Sequence, residues 1–105
     1  MTGPGNAYIV GAYEHPTRLA PDKSVAQLHA ECAIEALADA GLSLSDVDGY
    51  FCAGDAPGTS PIGMADYLNL KLSWFDGTEA GGCSYLAHIQ RATAAIASGQ
   101  CKVAL

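Results

Sequence analysis

The segment 84–98 constrains the fold of this chain more than any other, because its pattern is helical and its single formal charge is Arg91. Alanines occupy much of its length, and Tyr85, Ile89 and Ile96 cluster on one side. A helix that is apolar nearly all round is normally buried. A two-layer domain of 105 residues would leave one face of this helix in water. The segment therefore predicts a helix that is covered from two sides, within a fold larger than this chain.

The residues in front of this helix are Glu79-Ala80-Gly81-Gly82-Cys83-Ser84. Adjacent glycines allow a sharp turn between a strand and a helix, because glycine accepts backbone angles that other residues refuse. The turn would place Cys83 at the first helical turn, where unpaired N–H groups and the positive dipole end favour a thiolate. The arrangement corresponds to a nucleophile elbow, a sharp strand-to-helix turn that exposes the nucleophile, with a cysteine sulfur in place of the serine oxygen. We predict Cys83 as the catalytic residue.

The neighbours of this cysteine are predicted to contact substrate: Glu79, Gly81, Gly82 and Ser84. For Glu79 two structural alternatives stay open, a role in holding the glycine backbone and a plain solvated side chain. A nucleophilic cysteine also needs a base. His88 lies about 140° around the helix from Cys83, so its ring cannot face the sulfur and we interpret it as a packing or subunit-contact residue. His15 lies in a loop with no partner in view, so the base is expected from outside this chain.

The charge balance excludes several classes of partner. A net charge of −6 with five lysines and arginines argues against nucleic acid and against an anionic membrane. No apolar run is long enough to span a bilayer, and residues 1–6 lack the pattern of a signal peptide, which predicts a cytoplasmic protein. The sequence contains no metal-ligand spacing and no phosphate-binding glycine loop of the usual patterns.

The four cysteines are widely spaced and form no C-x-x-C pair, which fits neither a zinc site nor a disulfide-dense scaffold. Cys52 and Cys101 lie in or beside apolar strands and are predicted to be inert core thiols. Cys32 is predicted to be a small core residue of a helix, and His29 a core histidine on the same apolar side.

Alternation, caps and turn formers predict an α/β chain with parallel strands. Strands are predicted at 7–12, 49–53, 72–75 and from Lys102, and helices at 25–40, 62–70 and after Cys83. Ser24 is the expected N-cap of the first helix and Gly41 its C-terminal signal. The loop 54–61 follows a strand, so it is either a ligand-binding loop at the carboxyl end of the sheet or a plain connection.

Several segments recur in a characteristic order: 7–12 (Ala-Tyr-Ile-Val-Gly-Ala), 36–42 (Ala-Leu-Ala-Asp-Ala-Gly-Leu), 47–49 (Val-Asp-Gly), 79–84 (Glu-Ala-Gly-Gly-Cys-Ser) and 94–99 (Ala-Ala-Ile-Ala-Ser-Gly). In this order they resemble the start of thiolase-superfamily proteins, particularly the sterol-carrier, lipid-transfer-like branch. The resemblance covers residues 7–105, which correspond to the first quarter or so of a family member. It implies a layered αβαβα fold of two similar halves, incomplete in this chain, with the helix after Cys83 between two sheets. Family members usually dimerise near the third strand, here 72–75.

The resemblance also implies an activity. Such proteins make or break carbon–carbon bonds beside a coenzyme A thioester, which is the substrate, with no bound cofactor. In thiolases proper a cysteine at this helix start takes the acyl group, and a histidine and a second cysteine from the other half handle protons. An acetyl-CoA acetyltransferase-like acyl transfer is therefore the first expectation, in a homodimer or larger oligomer.

One departure from the thiolase pattern keeps alternatives open. Cys83 is followed by Ser84-Tyr85, where thiolases have a small residue and then glycine. Counting back from Ile96 and Gly99 in the family register places the nucleophile at Gly82. Either the turn carries an extra residue and Cys83 attacks, or the chemistry has changed. Some thiolase-like relatives are retro-aldol lyases of side-chain acyl-CoA thioesters and work with a small partner protein. A non-catalytic lipid-binding subunit is the third alternative.

Overall fold

The helices and strands of this protein alternate along the chain. The computed structural model describes residues 6–53, 61–78 and 81–105. Its elements are α1 (Val25–Asp39), β1 (Gly49–Ala53), α2 (Pro61–Tyr67), β2 (Trp74–Thr78) and α3 (Ser84–Ala97), with 3-10 turns at Leu44–Asp46 and Gly81–Cys83. The three predicted helices and the strand at 49–53 are confirmed. The strand predicted at 72–75 begins two residues later, at Trp74, and continues to Thr78.

The sheet is parallel, and β1 lies in its middle. Gly49 to Ala53 pair in register with Trp74 to Thr78 of β2. On its other side β1 pairs with residues 103–105, also in parallel. The Gly49 N–H donates to the Val103 carbonyl at 3.0 Å, and the Leu105 N–H donates to the Gly49 carbonyl at 2.9 Å. The segment predicted as a strand from Lys102 thus pairs with β1, through an isolated bridge between Gly49 and Ala104, and every residue of β1 is buried.

Both faces of the sheet are covered by helices. Tyr50 and Cys52 face one side, in a cluster with Met64 and Leu68 from α2 and the segment after it, against which α1 also packs. Phe51 faces the other side, in a cluster with Ala95 of α3. The chain moves from β1 to β2 and then back across to 103–105. Right-handed crossovers in opposite directions put α2 and α3 on opposite faces. The predicted α/β class with parallel strands is thus observed in this part of the chain.

The first helix begins and ends where its sequence signals predict. The Gln27 N–H donates to the Ser24 hydroxyl at 3.0 Å, which satisfies one of the unpaired donors of the first turn. At the other end Gly41 adopts a φ of 74°. The Leu42 N–H then donates to the Leu37 carbonyl at 2.8 Å, as in a Schellman motif.

Residues 7–12 do not form the predicted strand. The segment lies along the end of α1, where the Ala12 N–H donates to Asp39 Oδ2 at 3.1 Å. Tyr8, Ile9 and Val10 are between 64% and 77% exposed. A strand exists through pairing with a neighbour, and 7–12 pairs with no strand among the residues that the structure describes, where β1 is paired with β2 and with 103–105. The apolar pattern therefore has no partner strand here.

His15 was expected to lack a partner, and that expectation is wrong. Its Nε2 lies 2.7 Å from Glu31 Oε1, because the loop before α1 folds back onto the polar face of that helix. Lys23 Nζ donates to the other carboxylate oxygen at 2.8 Å, and the Gln27 side chain donates to it at 3.0 Å. The hydrogen bonds from Lys23, His15 and Gln27 lower the pKa of Glu31 to about 2, and the bond from Lys23 has the largest effect.

Asp48 fastens the amino ends of the three paired segments. Its Oδ1 accepts the backbone N–H groups of Lys102 at 2.9 Å and Val103 at 2.8 Å. Its own carbonyl accepts the N–H groups of Ser73 at 2.8 Å and Trp74 at 3.2 Å. One residue therefore holds β2 and 103–105 against the start of β1. This explains why β2 begins at Trp74, and it leaves the opposite edge of the sheet for a functional site.

Candidate functional site

The candidate site lies at the carboxyl edge of the sheet. The 3-10 turn Gly81–Cys83 comes after the end of β2 and leads directly into α3. Ligands of open α/β sheets bind outside the carboxyl ends of the strands. Glu79 and residues 54–60 of the loop predicted at 54–61 lie outside the described residues, and Pro61 is the first residue of α2. The part that is described consists of the turn, the end of β2 and the first turns of α3.

The turn has the geometry expected from its glycines. Gly81 has a φ of 76°, in the left-handed region that favours glycine. Cys83 occupies the N-cap position of α3, immediately before Ser84. Gly81, Gly82 and Cys83 are all exposed. The structure thus places the cysteine at the start of the helix, as the sequence predicts.

The two glycines of the turn should differ in their tolerance of alanine. Gly81→Ala is expected to lower the free energy of unfolding by about 1 kcal/mol, because a Cβ disfavours a positive φ. Gly82→Ala is the matched control, since an added Cβ would meet no atom within 4 Å and the φ of Gly82 is not positive. Urea denaturation followed by circular dichroism measures both. Equal losses in the two variants would contradict the assignment of the turn geometry to Gly81.

The inner side of the site is closed to solvent. Ser84 is 0% exposed and His88 is 6% exposed. His88 Nε2 lies 3.0 Å from Thr78 Oγ1 at the end of β2, and its ring contacts those of Phe51 and Tyr85 with centroids 6.1 and 5.9 Å away. His88 is therefore a packing residue that faces the sheet, as predicted. Ser84 sits inside the turn, and its predicted contact with substrate stays a prediction.

The four cysteines have different surroundings. None of them forms a disulfide, and Cys83 is the exposed one. Cys52 and Cys101 are buried, which confirms the prediction of core thiols, and burial raises the pKa of Cys101. Cys32 is half-buried on α1. Cys83 is consequently the thiol most open to a reagent or a substrate.

His29 and Arg91 are not part of the Gly81–Cys83 turn. His29 is half-buried on α1, and burial lowers its pKa, which fits the predicted core role. Arg91 Nη1 pairs with Asp76 Oδ2 at 2.8 Å beside the site. Among the residues that the structure describes, no three His, Cys, Asp or Glu side chains come together as a metal site would need. No helix within the same residues is long and apolar enough to cross a bilayer.

A second feature near α3 is an open apolar cavity of about 720 Å³. It lies between α3, the segment 6–11, the end of α1 and residues 102–105. Its most exposed large side chains are Tyr8, Ile9, Val10, Tyr85 and Ile89. Cys83 does not line it, so the cavity and the Gly81–Cys83 turn are neighbouring but separate. An apolar flank of α3 is therefore open within the described part of the chain, and the predicted cover on its second side stays a prediction.

Thr78 is the residue that sequence reasoning missed. It ends β2 in the residue before Glu79, and its hydroxyl holds His88. The two residues are ten positions apart and on different elements, so helical periodicity does not connect them. The signal that could have pointed to Thr78 is its place as the last polar residue of a strand that leads into the candidate site.

Comparison with known proteins gives a partial match. No family model matches the chain. The 17-hydroxy-3-oxo-4-pregnene-20-carboxyl-CoA lyase of Mycobacterium tuberculosis is 35% identical to it over 96 residues, which are 90% of this chain and 25% of the lyase. The chain is a distant homologue of an acyl-CoA lyase. It spans about a quarter of the length of that lyase. Because the alignment leaves out only about a tenth of the chain, the aligned residues include the Gly81–Cys83 turn.

Proposed function

We propose that this chain is part of a lyase that breaks a carbon–carbon bond next to a coenzyme A thioester. The observation that carries the proposal is the 35% identity to an acyl-CoA lyase over nine-tenths of the chain. The position of the Gly81–Cys83 turn supports it, because the carboxyl edge of a parallel sheet is where such folds bind ligands. The substrate would be a side-chain acyl-CoA with a hydroxyl group on the carbon β to the thioester carbonyl.

The proposed reaction is a retro-aldol cleavage. A base takes the proton of the β-hydroxyl group, the bond between the α and β carbons breaks, and a carbonyl forms at the β carbon. The electron pair passes to the α carbon as a thioester enolate, which then takes a proton and leaves as a shorter acyl-CoA. The enolate oxygen needs hydrogen-bond donors. The backbone N–H groups of the Gly81–Cys83 turn are candidates, since this turn lies at the carboxyl edge of the sheet, where such folds bind ligands.

A thiolase-like acyl transfer is the second candidate, favoured by the exposure of Cys83 at the helix start. In that reaction the Cys83 thiolate attacks the thioester carbonyl, coenzyme A leaves, and the acyl group is held on sulfur until a second acyl-CoA accepts it. The cleavage needs no such covalent step. The two candidates therefore differ in whether the sulfur atom is required.

The decisive experiment uses the protein expressed from its complete reading frame and a 3-hydroxyacyl-CoA. We expect mass spectrometry to detect the shorter acyl-CoA and the matching carbonyl product. Cys83→Ala should keep turnover within about threefold of wild type, whereas a required nucleophile would cost about a thousandfold or more. Cys32→Ala, which removes a half-buried thiol from α1, is the matched control.

Each other outcome points elsewhere. Acylation of Cys83 together with loss of turnover in Cys83→Ala would replace the lyase by the acyl transferase. Absence of both cleavage and acylation in the folded protein would favour the non-catalytic lipid-binding subunit. The open apolar cavity beside α3 is the feature that would serve that third function.

The proposed assembly follows from surfaces that this chain leaves uncovered. Tyr85, Leu86 and Ile89 on α3 are between 49% and 72% exposed, which suits a helix covered by a second half of the αβαβα fold. Trp74 and Phe75 are exposed on β2, whose outer edge suits pairing with a second copy. We propose a homodimer or larger oligomer, with a small partner protein as a further component for the lyase.

A further inference from the structure

We propose that His88 is a positioning residue for the site, which acts by holding the end of β2 through Thr78 and so fixes the Gly81–Cys83 turn. The inference rests on the proposed function in one respect, that the turn meets the thioester. The hydrogen bond between Thr78 Oγ1 and His88 Nε2 is 3.0 Å long. It joins the last residue of β2 to the second turn of α3, on either side of the candidate site.

The anchoring of α3 shows why this bond matters. The buried residues of the helix are Ser84 and His88 in its first half and Ala95 in its second. Ala95 packs with Phe51 and Cys101, so the second half of α3 is held by apolar contacts. In the first half Tyr85 and Leu86 are exposed. The start of the helix is therefore held against the sheet by Ser84 and His88, and His88 is the one that bonds to the end of β2.

A plain packing role accounts poorly for a histidine at this place. The next buried position toward the end of α3 is Ala95, and an alanine or leucine at position 88 would likewise cover the sheet without any polar atom to satisfy. Burying an imidazole costs free energy unless it is hydrogen-bonded. Water competes weakly at a histidine that is 6% exposed, which strengthens its directional bond to the half-buried Thr78. The histidine thus sets a geometry as well as filling space.

The consequence for the reaction is a defined orientation of the turn. N–H groups that stabilise an enolate must point at the position of its oxygen, and a misplacement of about 1 Å costs up to about a hundredfold in rate. Loss of the Thr78 hydroxyl should release the turn while leaving the Ala95 side of α3 in place. In an active preparation Thr78→Val should therefore lower kcat by about ten- to a hundredfold and change KM less.

The test that does not need activity is the alkylation rate of Cys83 by iodoacetamide, located by mass spectrometry. Thr78→Val, which keeps the side-chain shape without the hydroxyl, is expected to change this rate at least about threefold. Thr78→Ser, which keeps the hydroxyl, should stay within a factor of about two of wild type. Alkylation of Cys32 should be the same in all three proteins. Equal Cys83 rates in wild type and Thr78→Val would overturn the inference.

A measurement on the wild-type protein covers the case in which Thr78→Val unfolds, as alkylation of buried Cys52 and Cys101 would reveal. We expect amide hydrogen exchange to show the N–H groups of residues 88–90 as protected as those of 95–97. Fast exchange at 88–90 alone would overturn the inference, because the first half of α3 would then not be anchored. If Thr78→Val left the turnover of an active lyase unchanged, the positioning role of His88 would also be contradicted. Absence of lyase activity with the predicted alkylation pattern would instead count against the proposed function alone.

Discussion

Replacement of Asp48 by alanine is expected to lower the free energy of unfolding by about 3 kcal/mol, because two backbone N–H groups lose a charged acceptor. Those donors are the N–H groups of Lys102 and Val103, at 2.9 and 2.8 Å from Oδ1. In the variant these two N–H groups have no carboxylate acceptor at the point where 103–105 pairs with β1. Urea denaturation of both proteins measures the difference.

Two variants make the Asp48 experiment specific. Asp48→Asn keeps one acceptor oxygen but loses the charge, so it should fall between wild type and Asp48→Ala. Asp66→Ala removes a carboxylate from the exposed side of α2 and should change the free energy of unfolding by less than about 0.5 kcal/mol. If Asp48→Ala and Asp66→Ala lower the free energy of unfolding by the same amount, the Asp48 carboxylate does not hold 103–105 against β1.

Replacement of Gly49 by alanine is expected to lower the free energy of unfolding by about 2 kcal/mol through overpacking. An added Cβ would lie 2.7 Å from Cys101 Sγ and 3.0 Å from Cys101 Cβ. Gly49 is also in the central strand, bonded to Val103 and Leu105, so the backbone has little room to move away. Without the clash, alanine would be the better strand residue, since glycine costs more backbone entropy on folding.

A double-mutant cycle separates the clash from other effects. Cys101→Ala removes the sulfur atom that comes closest, so Gly49→Ala should cost clearly less in that background than in wild type. Additive losses in the cycle would show that the contact with Cys101 is not the cause. Gly82→Ala, at a position with open space around an added Cβ, serves as the control for a glycine substitution as such.

The predictions above concern the two edges of one sheet, of which one stabilises the fold and the other carries the candidate site. The amino edge is fastened by Asp48 and by the close approach of Gly49 to Cys101. The carboxyl edge carries the exposed turn Gly81–Cys83. Substitutions at the amino edge should thus act on stability, whereas those at Thr78 and Cys83 separate positioning from covalent chemistry.

Much of the candidate site could be predicted because its signals are local. The glycine turn and the placement of Cys83 before a helix follow from adjacent residues and are observed as expected. The contact that closes the site from inside, between Thr78 and His88, was not predicted. Periodicity identifies the inward face of α3, but it does not name the atom of the sheet that this face will meet.

The same division applies to the fold. The sequence by itself determined where α1 begins and ends, because Ser24 and Gly41 act within one turn of the helix. It also predicted a strand at 49–53, which is confirmed. The tertiary structure alone decided that 103–105, and not 7–12, pairs with β1, and that His15 meets Glu31. Strand pairing and loop contacts depend on which distant segment reaches a given edge, and that is a property of the assembled chain.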